Sequence, residues 1–468
     1  MPDIVAERLV HFGSAPRPSA AAAPRHDGFL VLTVAFICAL SAAPMSMVFP
    51  VRPSVSTVTD FFPASVPGLN TDLGVSVLSR VEPEYQGGGM RAGGFIVRPQ
   101  EDESISYDSN VLGYRGSPSS WIVHTAPSVA INSDWGRNKL GAYLSVDNGT
   151  YLDTPKQSRT DWTAAIGGTY TLGESEASVA YSHLTLHDDA TNIGALPTST
   201  PVPFEIDDLR AEYALPIGRF TLTPNVDYSM WRFGTSTILN QPSNQSFRDR
   251  DVIQAGMAVK YDLGGASDLL LTGAAINSNY IHTPAGLPGQ SSQSEVVMAG
   301  LDYQLSGALR FQVLAGLEAR QFHSAAYASR ATPVGHATAI WTPTQLTTVT
   351  GTVARSIEDP SFEDTGGIIY SRASVEVDHE LRRNIILRGS VGAQAAEYIQ
   401  FHTTQTGINA GLGITWLINR NMRLTADYRF DTESGFAFQS VPGLGSLTGL
   451  ATGSYNRHVV VLALHIEP

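Results

Sequence analysis

The sequence predicts an all-β fold, a closed antiparallel up-and-down barrel that crosses a membrane with about 18 strands, 16 being the alternative count. Three observations predict it. A short phrase recurs: Tyr170-Thr171-Leu172-Gly173, Tyr213-Ala214-Leu215-Pro216-Ile217-Gly218, Tyr261-Asp262-Leu263-Gly264 and Tyr303-Gln304-Leu305-Ser306-Gly307, with weaker copies around Trp341 and Trp416. Each copy closes a run of alternating apolar and polar residues and leads through a few turn residues into another, as successive hairpins do. The second observation is that short and long connections alternate along the chain. The third is that individual strands carry an apolar row and a charged row, which a core packed on both faces would not accept.

Composition agrees with this reading. Charged residues make up 16% of the chain, Gly and Tyr number 43 and 17, and the mean hydropathy is near zero. A helical membrane protein would need repeated apolar runs of about 20 residues, and the chain lacks these. The net charge of -13 argues against a nucleic-acid partner, because phosphates call for clustered Lys and Arg.

Taken in order, residues 1–43 read as an export signal with a long front. The apolar run from Phe29 to Leu40 is short for a spanning helix, follows Arg25 and His26, and leads into Ser41, Ala42 and Ala43. Cleavage near Ala43 removes Cys38, the single cysteine, and leaves a chain suited to an oxidising compartment. An uncleaved anchor is the competing reading. Residues 44–93, rich in Pro, Gly, Ser and Val without a period, read as an extended periplasmic leader. Residues 94–468 are then the barrel.

The leader ends in a signature: Arg80, Pro83, Glu84 and Tyr85, then Gly89, Arg91, Gly93 and Phe95, then Pro99, and finally Tyr107-Asp108-Ser109-Asn110-Val111. This resembles the putative β-barrel porin 2 family, in which a similar leader runs into a first strand ending in D-x-N-V. The resemblance implies an outer-membrane barrel, and it further implies export of an exopolysaccharide together with a periplasmic polysaccharide-export protein.

Within the barrel, short polar turns are expected near Gly136, Glu174, Gly218, Gly265, Gly307, Pro343, Arg383 and Arg420. Longer connections are expected at 113–120, 153–159, 188–203, 234–247, 283–292, 323–330, 358–367, 402–404 and 432–452. Short periplasmic turns and longer outer loops are the outer-membrane pattern, and eight of the first with nine of the second give the even strand count with both termini periplasmic. Tyr170, Tyr213, Tyr261, Tyr303, Trp341 and Trp416, each beside a turn, are the candidate aromatic girdle at the membrane interface.

The split faces supply candidate pore-lining residues. In the segment 421–431, Met422, Leu424, Ala426, Tyr428 and Phe430 oppose Arg423, Thr425, Asp427, Arg429 and Asp431. Likewise Val375 and Val377 oppose Arg372, Glu376 and Asp378, while Phe311, Val313 and Leu317 oppose Arg310, Gln312, Glu318 and Arg320. The expected lining is Arg250, Lys260, Arg310, Glu318, Arg372, Glu376, Arg388, Arg423, Asp427 and Arg429. Such residues either form a hydrated track for a polar solute or pair across strands and stiffen the wall. Loops 188–203 and 432–452 are candidates for an inward-folded constriction. His183 and His187 share a strand side with Asp188 and Asp189 nearby, yet their spacing matches no metal-ligand set. No catalytic residue, metal or cofactor is expected, since no dinucleotide, phosphate-loop, zinc-protease or nucleophile-elbow motif is present. The functional expectation is an outer-membrane export channel for an exopolysaccharide, with a general diffusion porin for small hydrophilic solutes as the alternative.

Overall fold

A computed structural model describes residues 62–63, 65–69, 77, 85 and 87–467, apart from 196–197, 239–240, 360, 362–365, 400–402, 435–439, 442–444 and 447–453. The signal over 1–43, its cleavage near Ala43, and Arg80, Pro83 and Glu84 of the signature lie outside those residues.

Eighteen long strands form one ring. The first nine are β1 (Phe95–Asp108), β2 (Ser120–Ser133), β3 (Lys139–Tyr151), β4 (Arg159–Leu172), β5 (Ser175–Asp188), β6 (Val202–Ile217), β7 (Phe220–Phe233), β8 (Arg250–Asp262) and β9 (Ser267–Tyr280). The second nine are β10 (Ser292–Ser306), β11 (Leu309–Phe322), β12 (Arg330–Thr344), β13 (Thr347–Glu358), β14 (Ile368–Arg382), β15 (Ile385–Tyr398), β16 (Thr403–Asn419), β17 (Met422–Glu433) and β18 (Tyr455–Ile466). Each pairs antiparallel with the next, and β18 closes on β1 with Asp108 opposite Val459 and Glu101 opposite Ile466. A short strand, Met90–Ala92, doubles back on the start of β1.

The recurring phrase now has its physical cause. Two-residue turns between β4 and β5 and between β6 and β7 need a positive φ, which Gly173 (+68°) and Gly218 (+63°) supply without a Cβ clash. The apolar residues ahead of them alternate outward to the end of the strand. Pro343 is one correction: it is not in the turn but inside β12, and the turn is at 345–346. Pairing there slips between Trp341 and Thr344, and that irregularity accommodates a residue with no N–H to donate. Of the connection expected at 402–404, Thr403 and Thr404 instead belong to β16, paired with Tyr398 and Glu397.

The two faces separate by solvent. Along β16 the even positions are outward: Ile408 (55% exposed), Leu412 (68%), Ile414 and Trp416. Val297, Leu317, Val391 and Val460 stand out from other strands in the same way. Apolar side chains exposed this densely have no place in water and suit a hydrocarbon band. Among the described residues no helix is long and apolar enough to cross a membrane. The strands run to 12–17 residues, beyond the roughly 9–11 that a tilted strand needs, so the barrel extends past that band.

Candidate functional site: an ion-paired lumen

All ten residues expected on the lining fall on inward rows: Arg250 and Lys260 on β8, Arg310 and Glu318 on β11, Arg372 and Glu376 on β14, Arg388 on β15, and Arg423, Asp427 and Arg429 on β17. Period-two alternation puts them there. Most of the cations have carboxylate partners on the wall. Lys260 meets Asp268 at 2.8 Å, Arg310 donates to both oxygens of Asp302 at 3.0 and 2.9 Å, Arg388 meets Asp378 at 3.1 Å and Glu376 at 3.7 Å, and Arg429 meets Asp431 at 2.7 Å. These pairs tie neighbouring rows and leave a polar inner surface.

The half of the lumen nearer the long connections is crossed by loops. The β5–β6 loop (189–201) turns inward, and its Gly194 N–H donates to Gln405 Oε1 of β16 at 3.1 Å. The same glutamine oxygen accepts from Tyr398 at 3.2 Å. Arg457 of β18 is the hub. It grips both oxygens of Asp108 on β1 (2.6–3.1 Å) and donates to Thr191 Oγ1 of the inward loop at 3.0 Å. Asp189, at the base of that loop, pairs with Arg159 at 3.1 Å. Burial alone would raise the Asp189 carboxyl, but Arg159 and Arg457 outweigh it and hold the group below its ordinary value. Of the two loops expected to fold inward, 188–203 is therefore the one observed; most of 432–452 lies outside the described residues.

A second crossing comes from the β13–β14 connection. Asp359 forms an ion pair with Arg250 at 2.9 Å and accepts a hydrogen bond from Arg320, while Arg248 Nη2 donates to Ser361 Oγ at 3.3 Å and to Asp188 at 3.1 Å. Arg248 is only 1% exposed and lies 4.1 Å from the centre of the Phe233 ring. Burial raises the Asp359 carboxyl less than Arg320 and Arg250 depress it, so it too is held low. Burial pulls the Arg248 guanidinium below its ordinary value, with Asp188 opposing.

Part of the leader lies against the inner wall of β3 to β6, around the middle of the barrel. Val66 is wholly buried, with Phe62 and Leu69 nearly so, in a cluster that includes the inward residues Ala165, Ala180, Leu184, Phe204 and Ile206. Arg210, held by Asp208 at 2.9 Å and Asp227 at 2.8 Å, lies over the Phe62 ring at 3.9 Å. Farther along, Val77 N–H donates to Thr348 Oγ1 of β13 at 3.0 Å, and its side chain clusters with Ile386, Leu417 and Tyr85.

The aromatic residues named from the sequence all point outward beside the short turns, with Tyr170, Trp341 and Trp416 the most exposed. A second set, Trp121 against Tyr107 and Tyr428 beside His458, stands near the long connections. Sequence reasoning missed that set because no repeated turn phrase marks it. His183 and His187 do not converge: the first pairs with Asp207 at 2.8 Å and the second with Asp161 at 2.7 Å. Asp108, Asp189, Arg159, Arg248, Asp359 and Arg457 were also missed as a group. Only the D-x-N-V resemblance pointed at one of them, and the structure gives that motif a local cause. Asp108 bonds across the seam between first and last strands, and Asn110 Oδ1 accepts the Gly113 N–H at 3.0 Å to fold the β1–β2 loop.

The family model described as putative beta-barrel porin 2 matches residues 82–443. No curated protein matches the chain. Among solved structures, Pseudomonas aeruginosa OccK9 (OpdG) is 10% identical, with 80% of this chain and 98% of that one covered, at a TM-score of 0.42. The outer membrane protein opdK of the same organism is 8% identical, with coverages of 80% and 99% and a TM-score of 0.43. An anion-selective porin from Comamonas acidovorans is 10% identical, with coverages of 80% and 99% and a TM-score of 0.38. Likenesses of that degree say nothing about what passes through this barrel.

Proposed function

Since the chain belongs to the putative beta-barrel porin 2 family, we propose that it is an outer-membrane channel through which small hydrophilic solutes diffuse. The observation that carries this reading is the closed ring of strands whose inward rows are charged and polar while the outward rows are apolar. In this reading Arg250, Lys260, Arg310, Glu318, Arg372, Glu376, Arg388, Arg423, Asp427 and Arg429 line the path. Apart from Arg250 and Glu318, which are buried, their side chains offer a solute hydrogen bonds in exchange for part of its hydration. The outward Tyr and Trp residues anchor the barrel at headgroup level. The short turns, and with them the start of β1 and the end of β18, face the periplasm, and no covalent chemistry is assigned to the protein.

The export of an exopolysaccharide, with a periplasmic partner, has less support. The family's description is of a porin and names no polysaccharide. The loops that meet at Gln405 and Asp359 cross the space that a polymer chain would need. The deciding experiment is reconstitution of the folded barrel in planar bilayers, with liposome swelling in sugars of rising size. Discrete conductance with a size limit is expected. A folded barrel that passes no ions or sugars, in a strain whose deletion abolishes secreted polysaccharide, would overturn the small-solute reading in favour of export.

A further inference from the structure

We propose that the leader segment around Val66 (residues 62–63 and 65–69) is a resident plug that keeps the middle of the lumen shut, and that the channel conducts when this segment leaves the wall. The inference rests on the channel reading and adds its regulation. It starts from an anomaly on the inner wall. The inward row of β17 is charged and polar, and a small apolar set, Val459, Val461 and Ala463, lies on β18, but inward positions of β4 to β6 carry the larger apolar patch of Ala165, Ala180, Leu184, Phe204 and Ile206. An apolar patch in a water-filled passage is unfavourable unless something covers it. Phe62, Val66 and Leu69 are part of that cover, and Val66 is 0% exposed.

The wall is also shaped to receive this segment. A Cβ on Gly167 would come 2.2 Å from the Pro67 carbonyl oxygen, and one on Gly141 would come 2.5 Å from Pro67 Cδ. Any other residue at these two positions would push the segment off its seat. The segment is itself turned to fit: Val66 N–H donates to the Pro63 carbonyl and Leu69 N–H to that of Val66, each at 3.1 Å, while Gly68 holds a φ of +86°. At its upstream end Phe62 lies on the Arg210 guanidinium, a cation over an aromatic face.

A second attachment lies on the other side of the ring. Val77, 4% exposed, is bonded and packed at the short-turn ends of β13, β15 and β16. In an 18-strand ring β13 stands opposite β4, which carries Gly167. Two points eleven residues apart in one leader are therefore fixed to facing walls of the barrel. A passive tail would have no need of either seat.

The test uses the full chain folded in planar bilayers and compares four forms. One is native, one carries Gly141→Ala with Gly167→Ala to evict the segment, and one carries Val66→Ser to weaken its seat. The fourth carries Gly68→Cys with Ser178→Cys to lock it, in a Cys38→Ser background. A Cβ on Gly68 falls 3.5 Å from that of Ser178, at the near edge of the disulfide range of about 3.5–4.5 Å. The native chain should be closed for most of the record. The evicting pair should raise the open fraction at least several-fold and Val66→Ser should raise it less. The oxidised lock should stay shut until a reductant returns it to native behaviour, which separates locking from any strain at Gly68. Evicted and native chains of equal conductance would overturn the plug and leave the channel reading standing. If every form, the evicted ones included, is folded by heat-modifiable gel mobility and still silent, the channel reading itself falls.

Discussion

Two regions of the lumen are filled by opposite kinds of chemistry. Near the long connections the closure is ionic. Arg457, Arg159, Arg248, Arg250 and Arg320 are set against Asp108, Asp188, Asp189 and Asp359, nearly all of them buried. Where the leader lies against β3 to β6, around mid-barrel, it is apolar, with Val66, Phe62 and Leu69 clustered with alanines and leucines over two glycines. The difference teaches what each region can respond to. A buried ion pair is strongly directional and sensitive to the loss of one partner or to protonation. An apolar seat is indifferent to both and yields to changes of shape. The first region is built to be rigid and the second to be separable.

Three measurements would break or sharpen that contrast. The largest effect is expected from Arg457→Ala, which leaves Asp108 and Asp189 without their shared cation beside the barrel seam. Breaking a buried pair from one side costs about 3–5 kcal/mol, so thermal unfolding in detergent should fall well below that of the native barrel. An unchanged midpoint would mean that the ionic region is not rigid after all. Acidification should come next. Asp189 and Asp359 are held below their ordinary value, so the stability they contribute is present above the unfolded carboxyl pKa of about 3.9 and is lost as pH falls through the lower folded value. Protease access to loops 189–201 and 359–367 should therefore rise only below about pH 4. Residues around Val66 should keep their protection over the same range, and loss of protection there at the same pH would erase the distinction. The smallest effect belongs to Lys260→Ala. Its pair with Asp268 sits near the short turns with the lysine side chain half exposed, and exposed pairs contribute under about 1 kcal/mol. The melting curve should be indistinguishable from the native one.

Much of the fold was legible in the sequence because one rule, alternation with period two, acts over short distances. Residue order alone places Arg423, Asp427 and Arg429 opposite Leu424, Ala426 and Tyr428, and the turns between such runs yield the strand count. Turn chemistry was legible where a glycine must take a positive φ, as at Gly173, and misleading at Pro343, where a register slip absorbed the proline inside a strand. The inward loop 188–203 could be named as one of two candidates, because its length and position against the strands are visible in the chain. Its landing point on Gln405 could not be named, because nothing in either segment encodes the other.

The sequence by itself determined which solvent each strand residue meets, since a side chain's face follows from its parity and its polarity declares the medium. Only closure of the ring decided which inward residues meet one another. Asp108 and Arg457 are separated by 349 positions, and Val77 and Thr348 by 271. They touch because the last strand pairs with the first and because the lumen is narrow enough for loops and leader to span. Such contacts depend on the curvature and circumference of the whole sheet, a global property that no local pattern carries.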